Sequence, residues 1–343
     1  MEARMKRNVV TIRDVSAKCG ISVSTVSKAL NNYSDVSPET RELVRRAARE
    51  IGYFPNAVAR ALKTNHSYHI GVLFEEESGE GLTHSFFASI LNALRLRAAA
   101  RRYDLTFISH SDAGMSYLEH CRYRQVDGVC IVCAGFTVPE VVEVAQSDLP
   151  CVTIDHRYPG VPCVLNENEA GMTLLTERAV ALGHRRIAFV SGDPSSVTDA
   201  RVAAFRRVME RHGLPIPPEY LVSSLYIRPS AGYEAALRLL RLPNPPTCIL
   251  FPDDHTTLGV RDALTELGLR CPEDVSIAGY DGIDLTQMLK PPLTTIWQDT
   301  KSTGTLAADA LIDLIEGRAD SVPQVINVPV KLLEGESMGP AKG

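Results

Sequence analysis

The 343-residue sequence contains no run of about 18 consecutive apolar residues, so it offers no candidate membrane span. Its first ten residues, MEARMKRNVV, are basic but lack the apolar core of a signal peptide. A cytoplasmic location is therefore expected. No G-x-G-x-x-G follows the first predicted strand, and Gly79-Glu80-Gly81 falls in an acidic loop that would repel a pyrophosphate. No nucleophile–base pair stands out, which argues against an enzyme. The eight cysteines are scattered. The pair Cys130-Ile-Val-Cys133 lies in an apolar strand, where residues three apart face opposite sides and cannot share a metal. All eight read as small buried or free thiols of a reducing compartment. The histidines show no ligand spacing beyond His66-x-x-His69, and neither a metal nor a cofactor is expected. There is no short repeat and no low-complexity segment. After Leu332-Leu333-Glu334 no heptad leucines follow, so a tetramerising coiled coil is not expected.

What is present begins with charge asymmetry. Residues 1–66 carry twelve Lys/Arg and six Asp/Glu, whereas the remainder carries 24 and 35, and the whole chain stands at −5. A basic small domain on an acidic large one fits one nucleic-acid face and a body that avoids DNA. The length suits about two to three domains, and 45% hydrophobic residues suit an ordinary buried core.

The basic end reads as short helices. Thr11 with Asp14 forms a capping box, and Ile12, Val15, Ser16 and Cys19 fall on one face. Gly20 suits the left-handed turn that ends a helix. Ser22 caps a second helix from about Val23 to Leu30. Val26, Ala29 and Leu30 turn inward there, leaving Val23, Ser24, Thr25, Ser27 and Lys28 outside. That hydroxyl-rich face suits the major groove: Val23 for a thymine methyl, Ser24 for a base edge, Lys28 for a guanine. Thr25, Ser27 and Asn31 are better placed for phosphates. Ser37-Pro38-Glu39 opens a third helix with Leu43, Ala47 and Ile51 as its expected buried stripe. Most of its arginines read as a solvated face. The segment from Ala57 to Lys63 is too short to hold a helix alone in water. Leu62 there is either a wedge for the minor groove or a buried leucine in an ordinary linker.

The run TIRDVSAKCGISVSTVSKALNN, followed by VSPETRELVRRAAREIGYFPNAVARALK, resembles the headpiece of the LacI/GalR family of bacterial transcription regulators. The resemblance implies that Val23, Ser24 and Lys28 read bases, that Tyr53 and Asn56 anchor the DNA, and that Leu62 enters the centre of a palindromic site. Thr11 and Ala59 complete the expected DNA-binding set. Ser16 stands where the family usually has alanine.

From about Tyr68 the pattern alternates strand and helix, which means parallel sheets with helices on both faces. Strands read as HIGVLF, DLTFIS, GVCIVC, CVTI, RIAFV, CILF and VSIAGY. Helices fall between them, among them Phe86–Tyr103, Ala170–Leu182, Ala200–His212, Ala231–Leu242 and Leu258–Leu267. Acidic residues recur at strand ends: Glu75, Asp155, Asp193, Asp253, Asp254 and Asp281. Any one alone reads as a loop cap; several converging with an arginine and an aromatic wall would suit sugar hydroxyls. The family resemblance extends over about residues 70–335 through RIAFVSGDPSSVTDARVAAFR, CPEDVSIAGYDGID and PPLTTIWQD. It implies a periplasmic-binding-protein-like core of two Rossmann-like lobes with three crossovers and a ligand between them. It assigns Asp155, Arg201, Asp253 and Asp281 to the effector, Phe86 and Phe87 to an aromatic pair lining the cleft, and His84, Ser85 and Ile227 to positions where this chain departs from the common residues.

The expected architecture is a small all-α helix-turn-helix headpiece (1–54), a hinge and linker (55–67), an effector-binding and dimerisation core (68–338) and a tail (339–343). Within the core, one lobe spans about 68–165 and 296–324, the other about 166–295 and 325–338. The expected function is a DNA-binding transcription regulator, a repressor acting as a homodimer on a palindromic double-stranded operator. It would associate with the nucleoid when bound and answer to a small-molecule effector, a sugar or sugar derivative. The alternative is a cytoplasmic sugar-binding receptor module without DNA activity.

Overall fold

The computed structural model describes residues 10–31, 33–54, 66–75, 81–109 and 114–342. The chain divides into two compact units, 1–67 and 68–343.

The first unit is helical. Helices α1 (Ile12–Cys19), α2 (Val23–Leu30) and α3 (Pro38–Ile51) surround a small core of Val15, Val26, Ala29, Val36, Val44 and Ala48. Gly20 and Gly52 end α1 and α3 with φ of 67° and 70°, conformations that cost other residues a Cβ clash. Ser22 and Ser37 cap α2 and α3 by accepting the amides of Thr25 and Thr40, each at 3.2 Å. The buried stripe of α3 differs from the expected one. Val44, Ala47 and Ala48 are buried, Ile51 is half-buried, and Leu43 is 37% exposed. A row of residues four apart drifts around a helix, whereas α3 packs on both α1 and α2 and needs the wider face that 44, 47, 48 and 51 supply.

The second unit holds two parallel sheets. The first contains β1 (His69–Phe74), β2 (Asp104–Ile108), β3 (Gly128–Cys133), β4 (Cys151–Ile154), β5 (Cys163–Asn166) and β11 (Val325–Val328), in the order β11-β5-β4-β3-β1-β2. The second contains β6 (Ile187–Ser191), β7 (Leu221–Ser223), β8 (Cys248–Leu250) and β9 (Ser276–Ala278), in the order β7-β6-β8-β9. Ile70 stands beside Leu105 and Gly128, and Ala188 beside Ile249, and the β1–β3 register shifts by one residue between Leu73 and Phe74. The strands read as continuous apolar runs because both faces are covered. Helix α4 (Ser85–Ala100) and a late helix, α12 (Thr300–Ile315), pack together over the first sheet. Helix α7 (Asn168–Ala181) and α8 (Ser196–Arg211) cover one face of the second sheet; α9 (Pro229–Leu240) and α10 (Asp254–Leu267) cover the other.

The lobe boundaries fall differently from the sequence reading. Strand β10 (Thr295–Gln298) pairs antiparallel with β12 (Val330–Leu333), and Ile296 and Val330 join the core of the second lobe with Phe189 and Tyr280. Strand β11 adds to the free edge of β5, with Val328 in the first lobe's core. The crossings therefore lie near Glu167, Asp299 and Pro329. The last residues are docked on the second lobe. The Ala341 amide donates to the Leu182 carbonyl at 2.9 Å, and Lys342 pairs with Asp274 at 2.6 Å. No helix among the described residues is long and apolar enough to cross a membrane.

Candidate functional site

Two groups of residues carry chemistry, one in each unit. In the helical unit, Asp14 accepts the amide and hydroxyl of Thr11 at 2.7 and 2.8 Å, so Thr11 is tied to its own cap. The Ser16 hydroxyl donates to the Ile21 carbonyl at 2.6 Å, fastening the end of α1 to the start of α2. Of the residues expected to read DNA, Val23 and Ser24 stand exposed in the first turn of α2. Thr25 is half-buried with its hydroxyl 2.9 Å from that of Ser22. Ser27 is half-buried, and its carbonyl accepts the Asn31 amide at 2.8 Å. Lys28 forms an ion pair with Asp35, and that hydrogen bond raises the lysine pKa. Tyr53 is half-buried against the small core, and burial raises its phenol pKa. Asn56, Ala59 and Leu62 lie outside the described residues.

Between the lobes, the carboxyl ends of the strands bring a second group together. Arg201, on α8, is only 4% exposed. Its Nε donates to Asn168 Oδ1 and its Nη1 to the Pro252 carbonyl, both at 2.8 Å. Its guanidinium lies 3.5 Å over the Tyr280 ring. Burial opposes its charge, but Tyr280, Tyr226, Asp281 and Asp155 outweigh that and hold its pKa above the usual value. Asp155, after β4, accepts the amide of Asn166 at 2.8 Å and its side chain at 2.9 Å. Asp281, after β9, accepts the Gln298 side chain at 2.7 Å. Burial raises the pKa of both carboxyls against the pull of Arg201.

Three of the strained backbone positions sit here: Asp155, Ile227 and Asp281 have φ of 56°, 61° and 110°. A β-branched residue rarely adopts positive φ, and such strain persists only where surroundings hold it. For Ile227 the holder is Asp253, whose Oδ2 accepts the Ile227 amide at 2.8 Å. The same oxygen accepts the Thr256 hydroxyl, and Oδ1 accepts the Thr256 amide, both at 2.7 Å. With 2% exposure and these bonds, Asp253 is a bracket between Ile227 and α10.

Phe86 and Phe87 are half-buried with ring centroids 5.3 Å apart. His84 is buried, accepts the Phe86 amide at 3.2 Å and caps α4, with its ring 4.9 Å from that of Phe87. Ser85 is exposed in the first turn. Sequence reasoning missed Asn166, Asn168, Gln298 and His255. The amides are useful only because β5 and β10 end beside the acids, and short strands leave no periodic signal. Among the described residues, no group of three potential ligands could hold a metal.

The model described as "Bacterial regulatory proteins, lacI family" matches residues 11–56, and "Periplasmic binding protein-like domain" matches residues 176–338. The HTH-type transcriptional repressor PurR of Haemophilus influenzae is 30% identical over 328 residues, covering 94% of this chain and 96% of that protein. PurR of Escherichia coli O139:H28 is 30% identical over 338 residues, covering 96% and 97%. The crystal structure of the Lac repressor dimer bound to operator and the anti-inducer ONPF superposes with a TM-score of 0.82 at 30% identity, covering 96% of this chain and 99% of that one. A complex of the transcriptional regulator CelR with cellobiose superposes with a TM-score of 0.70 at 26% identity, covering 96% and 99%. A helix-turn-helix unit, a two-lobed α/β unit and full-length likeness to repressors leave no room for an enzyme: the chain belongs to the lacI family of bacterial regulatory proteins, as a DNA-binding transcriptional repressor.

Proposed function

We propose that the chain acts in the cytoplasm as a homodimer on a palindromic operator and is controlled by a neutral sugar held between its lobes. The observation that carries the ligand class is Arg201, buried and bonded to Asn168, within the field of Asp155 and of Asp281, which in turn accepts the Gln298 amide. Paired acceptors, one fixed guanidinium and the Phe86–Phe87 wall suit a ring with several hydroxyls and one apolar face. Two half-buried carboxyls, Asp155 and Asp281, act on that cation, and the buried Asp253 and Asp254 follow β8 nearby, which disfavours a phosphorylated or carboxylated ligand. A cellobiose complex and a ribose-bound regulator stand among the structural relatives, which supports the same reading. Two-fold symmetry of the protein would match two half-sites.

The test is fluorescence anisotropy of labelled palindromic duplexes against scrambled ones, near physiological salt, with and without a panel of sugars and purines. Specific binding that a sugar weakens makes the protein an inducible repressor; specific binding that a sugar strengthens makes the sugar a corepressor. Specific binding altered only by a purine would overturn the ligand class. No binding to any DNA, even at low salt, would overturn the operator reading.

A further inference from the structure

The N-termini of α4 and α10 approach each other from opposite lobes, and each brings an imidazole to the gap. His84 caps α4 in the first lobe; His255 is the second residue of α10 in the second lobe. Their ring centroids are 5.6 Å apart and the planes meet at 62°. On its far side His84 rests against Phe87 and Phe86, the aromatic wall of the effector site. His255 follows directly after Asp253 and Asp254, the two carboxyls that fix the start of α10. Among the described residues, its Nδ1 is shut off from solvent and has no hydrogen-bond partner.

A ring nitrogen that has lost water and gained no protein partner is costly, and such atoms are normally matched by something. Here the groups around it belong to the effector site, and the two rings come from different lobes. A molecule seated between the lobes against Phe86 and Phe87 lies one ring, that of His84, from His255.

We infer that His255 is a further effector-reading residue, whose Nδ1 hydrogen-bonds a hydroxyl of the bound sugar at the His84 end of the cleft. An imidazole nitrogen accepts or donates according to its tautomer, and a hydroxyl can meet either. Because the second lobe supplies His255 and the first supplies His84, the contact forms fully only with the lobes together. His255 thus adds selectivity for the position of one hydroxyl and couples that selectivity to closure. The inference rests on the sugar reading above.

The experiment uses full-length protein with D-ribose, D-glucose, D-galactose and cellobiose as probes. Binding is read by the fluorescence of Trp297, the single tryptophan, which lies beside Asp281 through a β-bridge. Two variants separate polarity from shape. His255→Leu removes the nitrogen, whereas His255→Asn keeps a polar atom close to the Nδ1 position. The expected result is about a tenfold loss of affinity in His255→Leu for a sugar that the wild type binds. His255→Asn is expected to stay within about threefold of the wild type. Both should keep wild-type operator affinity without sugar, which shows that the fold is intact. Equal sugar affinity in His255→Leu and wild type overturns the inference and leaves the sugar reading standing. Equal losses in both variants overturn the polar contact and reduce His255 to a packing residue. A wild type that binds none of the four sugars removes the sugar reading for these ligands, and the inference with it.

Discussion

Asp254 is fully buried at the first position of α10 with three donors on its carboxyl. The Ile283 amide reaches Oδ2 at 2.9 Å, the Thr286 hydroxyl reaches the same oxygen at 3.1 Å, and the Thr295 hydroxyl reaches Oδ1 at 2.6 Å. Burial outweighs these bonds and raises its pKa from 3.8 to about 7. The folded chain therefore holds a proton that the unfolded chain gives up, and this group's contribution to stability falls as pH rises from about 4 through 7. Urea unfolding at pH 5 and pH 8 should show wild type losing on the order of 2 kcal/mol more than Asp254→Asn over that interval. Equal losses would mean that Asp254 is ionised throughout. Acid residues at strand ends were legible in the sequence; their division of labour was not. Asp155 and Asp281 bond Asn166 and Gln298 and act on Arg201 through their charge, while Asp253 holds a strained Ile227 and Asp254 ties α10 to β10. That division depends on φ and on which donors fold back, neither of which residue identity encodes.

At the scale of elements, the helices of the first unit were readable because each carries its own punctuation: Ser22 and Ser37 at the starts, Gly20 and Gly52 at the ends. The long apolar strands were readable for the same local reason. Five short strands, β5, β7, β10, β11 and β12, escaped: β4, β8 and β9 are as short but wholly buried, whereas each of the five carries a half-buried or exposed position that breaks the run. Yet β5 and β10 deliver Asn166 and Gln298 to Asp155 and Asp281, in the proposed effector site. Helix α2 also shows what local pattern leaves out. Its Lys28, expected at a guanine, is engaged by Asp35 from the following loop. Asp35→Asn should tighten operator binding by about threefold at low salt, by removing one charge that competes with DNA for Lys28. Lys28→Ala should cost about tenfold in discrimination between operator and scrambled duplex. If Lys28 instead serves a phosphate, both duplexes weaken alike and the slope of log affinity against log salt falls by about one. Anisotropy over a salt series separates the two.

The whole second unit is a pair of lobes joined by three crossings, and the proposed effector site is built from the residues beside two of them. Asn166 and Asn168 flank the crossing at Glu167; Gln298 precedes the one at Asp299. Anything that pulls on Asp155, Arg201 or Asp281 therefore pulls on the hinge itself. The lobes also touch directly through Ser196, whose hydroxyl donates to the Asp155 carbonyl at 3.0 Å and lies 3.3 Å from His156 Nδ1. An effector that bridges the lobes selects the state in which they are together, and its apparent affinity scales with the population of that state. Ser196→Ala removes both contacts without touching Arg201, Asp281 or the aromatic wall. The loss of about 1 kcal/mol of lobe contact should weaken sugar binding by about fivefold, read by Trp297 fluorescence. The same variant should shift the sugar concentration at which operator affinity changes by the same factor, because the two equilibria share one closed state. A changed sugar affinity with an unchanged operator response would break that linkage and place the signal to DNA elsewhere than in lobe closure.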